Sequence, residues 1–188
     1  PARVVEVHAL IGEWLRQYVE SRQDVKESTR VNYLQVVNDL ETFFEADKPL
    51  ASITAREAQA FRTWMLGDRD LNVNTVNRRC KRARQFFAVA VKESVIPDNP
   101  FDEVKGGQSV NRDRMAFVGR DVIADVLLAC PDDEFRVIVA MARYGGLRIP
   151  SEVNNLRWCD IDWETMRIVV HSPKTAHQGK PSRELPLF

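Results

Sequence analysis

The chain's 188 residues give room for one large or two small domains. With 44% hydrophobic and 29% charged residues it can bury a core, which excludes disorder by composition, and no apolar run approaches the ~20 residues that span a bilayer. Its 27 basic and 27 acidic residues cancel, so overall charge favours no partner and only local clustering can.

The spacing predicts helix over nearly all of residues 1 to 96. Leu10, Ile11, Trp14, Leu15, Tyr18 and Val19 recur with the helical period. A second helix is expected to start near Ser28 as N-cap and to bury Val31, Leu34, Val37, Leu40 and Phe44. Thr54-Ala55-Arg56-Glu57 has the form of a capping box, with Ile53 as its hydrophobic staple. It opens a third helix that carries Phe61, Trp64 and Met65 and ends at Gly67. A fourth, over about residues 74 to 95, places Val76, Cys80, Ala83, Phe87, Ala90 and Val91 on one face. Four amphipathic helices with short connections describe a compact bundle over residues 1–96.

Residues 97–114 hold Pro97, Pro100, Gly106 and Gly107, show no period, and read as a linker. A second domain follows over 115–188. It is expected to have helices near residues 121 to 129 and 133 to 144, a break at Gly145-Gly146, and a short helix over 151 to 157 with Pro150 at its first turn. Residues 167 to 171 alternate as a strand. Residues 183 to 188 form a weaker strand, which Pro186 places at an edge. The fold class is therefore mainly α with a small β part.

Cys80, Cys130 and Cys159 sit in apolar patterns without CxxC spacing and read as buried, reduced thiols. With no signal-peptide core at the start, a cytoplasmic protein is expected. His8, His171 and His177 lack metal-ligand spacing and read as surface residues. Asp160 and Asp162, two apart at a helix-to-strand turn, read as turn chemistry. Leu147, Leu156 and Trp158 read as core, and Tyr18, Tyr33 and Tyr144 occupy core-like helical positions.

Charge clusters in one place. From Leu71 to Lys92 the charged residues are Arg78, Arg79, Lys81, Arg82, Arg84 and Lys92, with no acid among them. Such a helix can neutralise backbone phosphates and release their counterions. Asn74, Thr75 and Asn77 at its start add short polar groups suited to phosphate and base edges. In the second domain, the glycine break delivers Arg148 to the start of the next element. A guanidinium is a permanent, planar, bidentate donor, suited to the charge that builds on phosphoryl oxygens.

The run Gly145-Gly146-Leu147-Arg148-Ile149-Pro150-Ser151-Glu152, followed by Leu156-Arg157-Trp158-Cys159-Asp160-Ile161-Asp162 and Ser172-Pro173-Lys174-Thr175, resembles the tyrosine recombinase (phage integrase) family. Glu27-Ser28-Thr29-Arg30-Val31-Asn32-Tyr33, Asn74-Thr75-Val76-Asn77-Arg78-Arg79 and the exit Ile96-Pro97-Asp98-Asn99-Pro100-Phe101 resemble its SAM-like core-binding domain. The resemblance implies a four-helix SAM-like domain followed by the first part of an α+β catalytic domain. It implies that Arg148 clamps a scissile phosphate, that Glu152 orients Arg148, and that Lys174 donates a proton to the leaving 5′ oxygen. Thr29, Arg30, Asn74, Thr75, Asn77 and Arg78 become DNA-contact candidates, with Arg79, Lys81 and Arg82 of the basic helix beside them.

Glu152 departs from the family's Arg-x-x-Glu spacing by one residue, a rotation of ~100° were the segment a helix. The family needs no metal or cofactor. Its partner is double-stranded DNA, on which the full-length protein is expected to form a tetramer and this chain a monomer. The His-x-x-Arg motif and the tyrosine nucleophile are not found in the sequence, so this chain is expected to bind DNA without recombining it. A non-enzymatic DNA-binding module derived from a truncated integrase is the rival reading, and a helical protein-interaction domain is a third.

Overall fold

The computed structural model describes residues 9–104, 115–176 and 179–187. His8, Gly106, Gly107 and His177, and with them most of the expected linker, lie outside the described residues. The chain divides into two compact units between Arg112 and Asp113.

The first unit contains helices α1 (Ile11–Ser21), α2 (Glu27–Phe44), α3 (Ala55–Gly67) and α4 (Val73–Lys92). Their starts follow from side-chain caps where the sequence supplies them. The Thr54 side chain accepts from Glu57 N while Glu57 reaches back to Thr54 N at 2.9 Å, which completes the capping box. Asn72 accepts from Asn74 N and opens α4. Helix α2 begins one residue before Ser28, with Lys26 at the N-cap; Ser28 lies inside the first turn, where its carbonyl accepts from Asn32 Nδ2.

The predicted faces pack together. Leu15, Val37, Leu40, Phe61, Met65, Val76 and Phe87 are all buried, and Phe86, outside the predicted face, joins them. Val31, expected in the core, is half exposed because α2 turns Tyr33, Val36 and Val37 inward instead. Cys80 is buried, and burial pushes its thiol up to about 11. Cys130 is only partly covered and Cys159 is exposed, contrary to expectation.

The chain does not leave this unit at Ile96. Phe101 is fully buried, at ring-centroid distances of 4.8 Å from Phe87 and 5.9 Å from Phe61. Val104 is buried as well. Arg84 donates to the carbonyls of Phe101 (3.0 Å) and Val104, and Asn99 Nδ2 donates to the Arg84 carbonyl (3.1 Å). The segment 97–104, read as linker, thus completes the helical core. Its prolines break the period without freeing the chain.

The second unit contains helices α5 (Arg120–Ala129) and α6 (Asp133–Arg143). Two 3-10 turns follow, at Val153–Asn155 and Trp158–Asp160, and then strands β1 (Ile161–Asp162), β2 (Arg167–His171) and β3 (Ser182–Pro186). The strands form an antiparallel sheet in the order β1-β2-β3. Ile168 and Val170 of β2 are fully buried. The short helix expected from Ser151 is a turn followed by 3-10 geometry.

Trp158, expected in the core, is 80% exposed, and Leu156 is only half-buried. The turn is held by polar bonds, from Arg157 N (2.8 Å) and His171 Nε2 (3.1 Å) to Asp160, which leave the indole outside. Tyr144 is likewise half exposed. Asp162 accepts from Glu164 N, Thr165 N and Thr165 Oγ1, as turn chemistry requires.

Candidate functional site

In the second unit, α6 ends where Gly146 takes a left-handed conformation (φ 63°), which an L side chain adopts only with strain. Leu147 N donates back to the Met141 carbonyl, and the Leu147 side chain is buried. Arg148 follows at the surface with 45% of its side chain exposed. Its backbone N donates to Glu152 Oε2 (3.0 Å), and its Nη1 is ion-paired to Glu152 Oε1. The rotation expected from the spacing does not arise, because residues 149–152 form a turn that brings Glu152 back to Arg148.

Glu152 is 2% exposed. Ser172, directly after β2, donates to its Oε1 at 2.8 Å. Arg183 of β3 grips both oxygens, Nη1 to Oε1 at 3.0 Å and Nη2 to Oε2 at 2.8 Å. Arg183 also donates to Ser172 Oγ (2.8 Å) and to the Gly146 carbonyl (3.2 Å). Arg183 above all, with Arg148 and Ser172, holds the Glu152 carboxyl well below the ordinary carboxylate range, although burial opposes this.

A cleft of about 450 Å³ opens beside the network, lined by Gly146, Arg148, Ser172, Thr175, Lys180, Ser182 and Arg183. Three cations, Arg148, Lys180 and Arg183, stand against one carboxylate there, so the cleft favours an anion. Lys174 lies exposed in the turn after β2 and does not line the cleft, whereas Lys180 does. Thr175, which had no expected role, ties this turn together through Oγ1 to the Lys180 carbonyl at 2.9 Å.

In the first unit the basic helix divides into two sets. Arg79 is ion-paired at 2.5 Å to Asp39, an acid that is 3% exposed, with Arg69 at 3.6 Å on the other oxygen. Arg82 lies 4.4 Å over the Tyr33 ring and donates to the Tyr33 hydroxyl at 3.1 Å. Arg84 holds the segment 97–104. Asn77 is buried and accepts from Arg62 at 3.4 Å.

The outward set is Arg78, Lys81 and Lys92. Asn74, Arg78 and Lys81 are spaced i, i+4, i+7 and so share one stripe of α4, with Thr75 half-buried beside it. Thr29 and Arg30 are half-buried at the start of α2.

Asp39 and Ser172 have no role expected from the sequence, and Arg183 stands there only as a poorer fit than Lys174 to the family's hairpin lysine. Two faint signals existed. Asp39 stands amid the apolar face of α2, and Arg183 falls at an inward position of an alternating strand.

The family model of the phage integrase SAM-like domain matches residues 10–106. The ICEBs1 integrase of Bacillus subtilis (strain 168) is 27% identical over 159 residues, covering 84% of this chain and 42% of the relative. Among solved structures, the Tn1549 transposon integrase in complex with a circular intermediate DNA matches 96% of this chain and 62% of its own, with a TM-score of 0.75 and 19% identity. A lambda integrase tetramer bound to a Holliday junction matches 95% of this chain and 51% of its own, with a TM-score of 0.78 and 19% identity. The chain thus spans about half the length of these relatives.

Proposed function

The chain belongs to the phage integrase family, whose SAM-like domain it carries over residues 10–106, and on that premise we propose that it holds duplex DNA for site-specific recombination. The observation that carries this reading is Arg148: a half-exposed guanidinium, fixed by a buried carboxylate, at the edge of a cationic cleft. The DNA-bound integrases with the same fold support it.

In the reaction, a tyrosyl oxygen attacks the scissile phosphorus and the bond to the 5′ oxygen breaks. That oxygen takes a proton, and a 3′-phosphotyrosine remains. Arg148 stabilises the charge on the non-bridging oxygens, with Glu152 orienting it. Lys174 protonates the 5′ oxygen. Thr29, Arg30, Asn74, Thr75, Arg78 and Lys81 contact DNA from the first unit, while Arg79, Arg82 and Asn77 serve the fold. The full-length recombinase acts as a tetramer on DNA, and this chain alone is a monomer.

One observation favours the non-enzymatic reading for the chain by itself. None of its three tyrosines lines the cleft: Tyr18 and Tyr33 are buried in the helical unit, and Tyr144 lies on the surface of the second. A nicked duplex that traps covalent intermediates tests this. The chain is expected to bind it with steep salt dependence and to form no adduct that survives SDS. An adduct overturns the division of labour, and salt-independent affinity overturns both readings.

A further inference from the structure

We infer that Arg183 is a positioning residue: by gripping both oxygens of Glu152, it fixes the carboxylate that in turn fixes Arg148 at the cleft. This deepens the proposed reading of Arg148 as a phosphate clamp and rests on it for its functional meaning.

The geometry leaves Glu152 few alternatives. Its Oε1 receives Arg148 Nη1, Ser172 Oγ and Arg183 Nη1, and its Oε2 receives Arg148 N and Arg183 Nη2. Arg148 is the wet partner, with 45% of its side chain exposed, and it must remain available to a ligand. Arg183 is the drier partner at 34%. A carboxylate this buried stays ionised only when charge and hydrogen bonds together offset its desolvation. Ser172 supplies one neutral bond, so Arg183 is the group that keeps Glu152 charged when Arg148 turns toward a phosphate.

The sheet register supplies the position. Val170 pairs with Arg183 across β2 and β3, so the two side chains share a face. Val170 is fully buried there, and the stem of Arg183 starts from the packed side of the sheet. The second bond of its fork, to the Gly146 carbonyl, holds the loop two residues before Arg148. One guanidinium therefore ties the strand, the carboxylate and the loop to each other. A lysine, with one point of charge, cannot reproduce the fork.

The test follows the Glu152 carboxyl carbon and the Arg148 Nε–Hε signal by NMR in the full chain without ligand, from about pH 4 to about pH 8, a window above the lowered native carboxyl and spanning the ordinary carboxylate value. In the wild type, Glu152 stays ionised and the Arg148 signal stays sharp throughout. In Arg183→Met, Glu152 loses its strongest partner and titrates inside the window. The Arg148 signal averages out with the same midpoint. Arg183→Lys, which keeps the charge, gives the same coupling at a lower midpoint, and it decides the matter if Arg183→Met does not fold.

A Glu152 that still titrates below the window, or an Arg148 signal indifferent to either variant, overturns the inference. Sulfate, which does not titrate over this range, separates the two readings. Arg148→Ala should abolish the sulfate response of the cleft. If sulfate binding survives that change, the clamp reading fails while the Arg183 coupling stands or falls on the NMR result alone.

Discussion

Replacing Arg79 by alanine tests whether half of the basic helix is structural. Asp39 is 3% exposed on the core face of α2, and Arg79 contacts it at 2.5 Å. Burial pushes the Asp39 carboxyl up, while Arg79 and Arg69 pull it down. Removing one partner of a buried pair costs about 3–5 kcal/mol, because the remaining charge is left without its counterion. Arg69 stays at 3.6 Å but is 43% exposed, so it offsets only part of the loss, and we expect the lower end, ~3 kcal/mol.

For a domain of this size that corresponds to a fall in Tm of roughly 12–24 °C. Thermal and urea melts followed by far-UV circular dichroism measure it. Asp39→Leu with Arg79→Met removes both charges and should recover most of the stability. A loss under ~1 kcal/mol for Arg79→Ala, together with weaker DNA binding, would return Arg79 to the DNA face.

Charge reversal of Arg78 and Lys81 together should weaken binding to all duplex sequences alike and leave Tm unchanged; filter binding on unrelated sequences checks the first part and a melt the second. Phe101→Ala should destabilise the helical unit by about 3–5 kcal/mol in urea melts, since it empties an aromatic core position that a linker residue would not occupy. The Lys48 ammonium and the Thr54 cap hold the Glu57 carboxyl down at about 2, against an ordinary 4.5. A depressed carboxylate stabilises the fold above its unfolded value and loses that contribution as pH falls through its folded value. Acid melts between those two values should therefore show a loss that Glu57→Gln flattens.

The helices were legible because each carries its own period and, at Thr54, its own cap; the Asn72 cap of α4 emerged only in the structure. The strand over 167–171 was legible from its alternation. What local pattern could not show was where long side chains fold back. Arg79, Arg82 and Arg84 look like one solvated cationic face with Arg78 and Lys81, yet Asp39, the Tyr33 ring and two backbone carbonyls draw them inward. Those partners lie from 17 to 49 residues away.

Segment 97–104 looked like linker because prolines erase periodicity, although Phe101 and Val104 are buried and Arg84 holds their carbonyls. In the second unit, Arg148 stood out through the glycine break before it. Arg183 did not, because its meaning depends on the β2–β3 register. The departure in spacing at Glu152 looked serious only under the assumption of a helix.

If Arg148, held by Glu152, sits on a DNA phosphate, its loss must change how duplex binding responds to salt. The most direct measurement is the salt dependence of duplex binding for the wild type and for Arg148→Ala. One lost phosphate contact lowers the slope of log K against log[salt] by about 0.9. Arg148→Ala should show that reduction, with weaker binding to every sequence and an unchanged melt of the helical unit. An identical slope for the two proteins would contradict it and leave Arg148 as a surface residue held by its carboxylate.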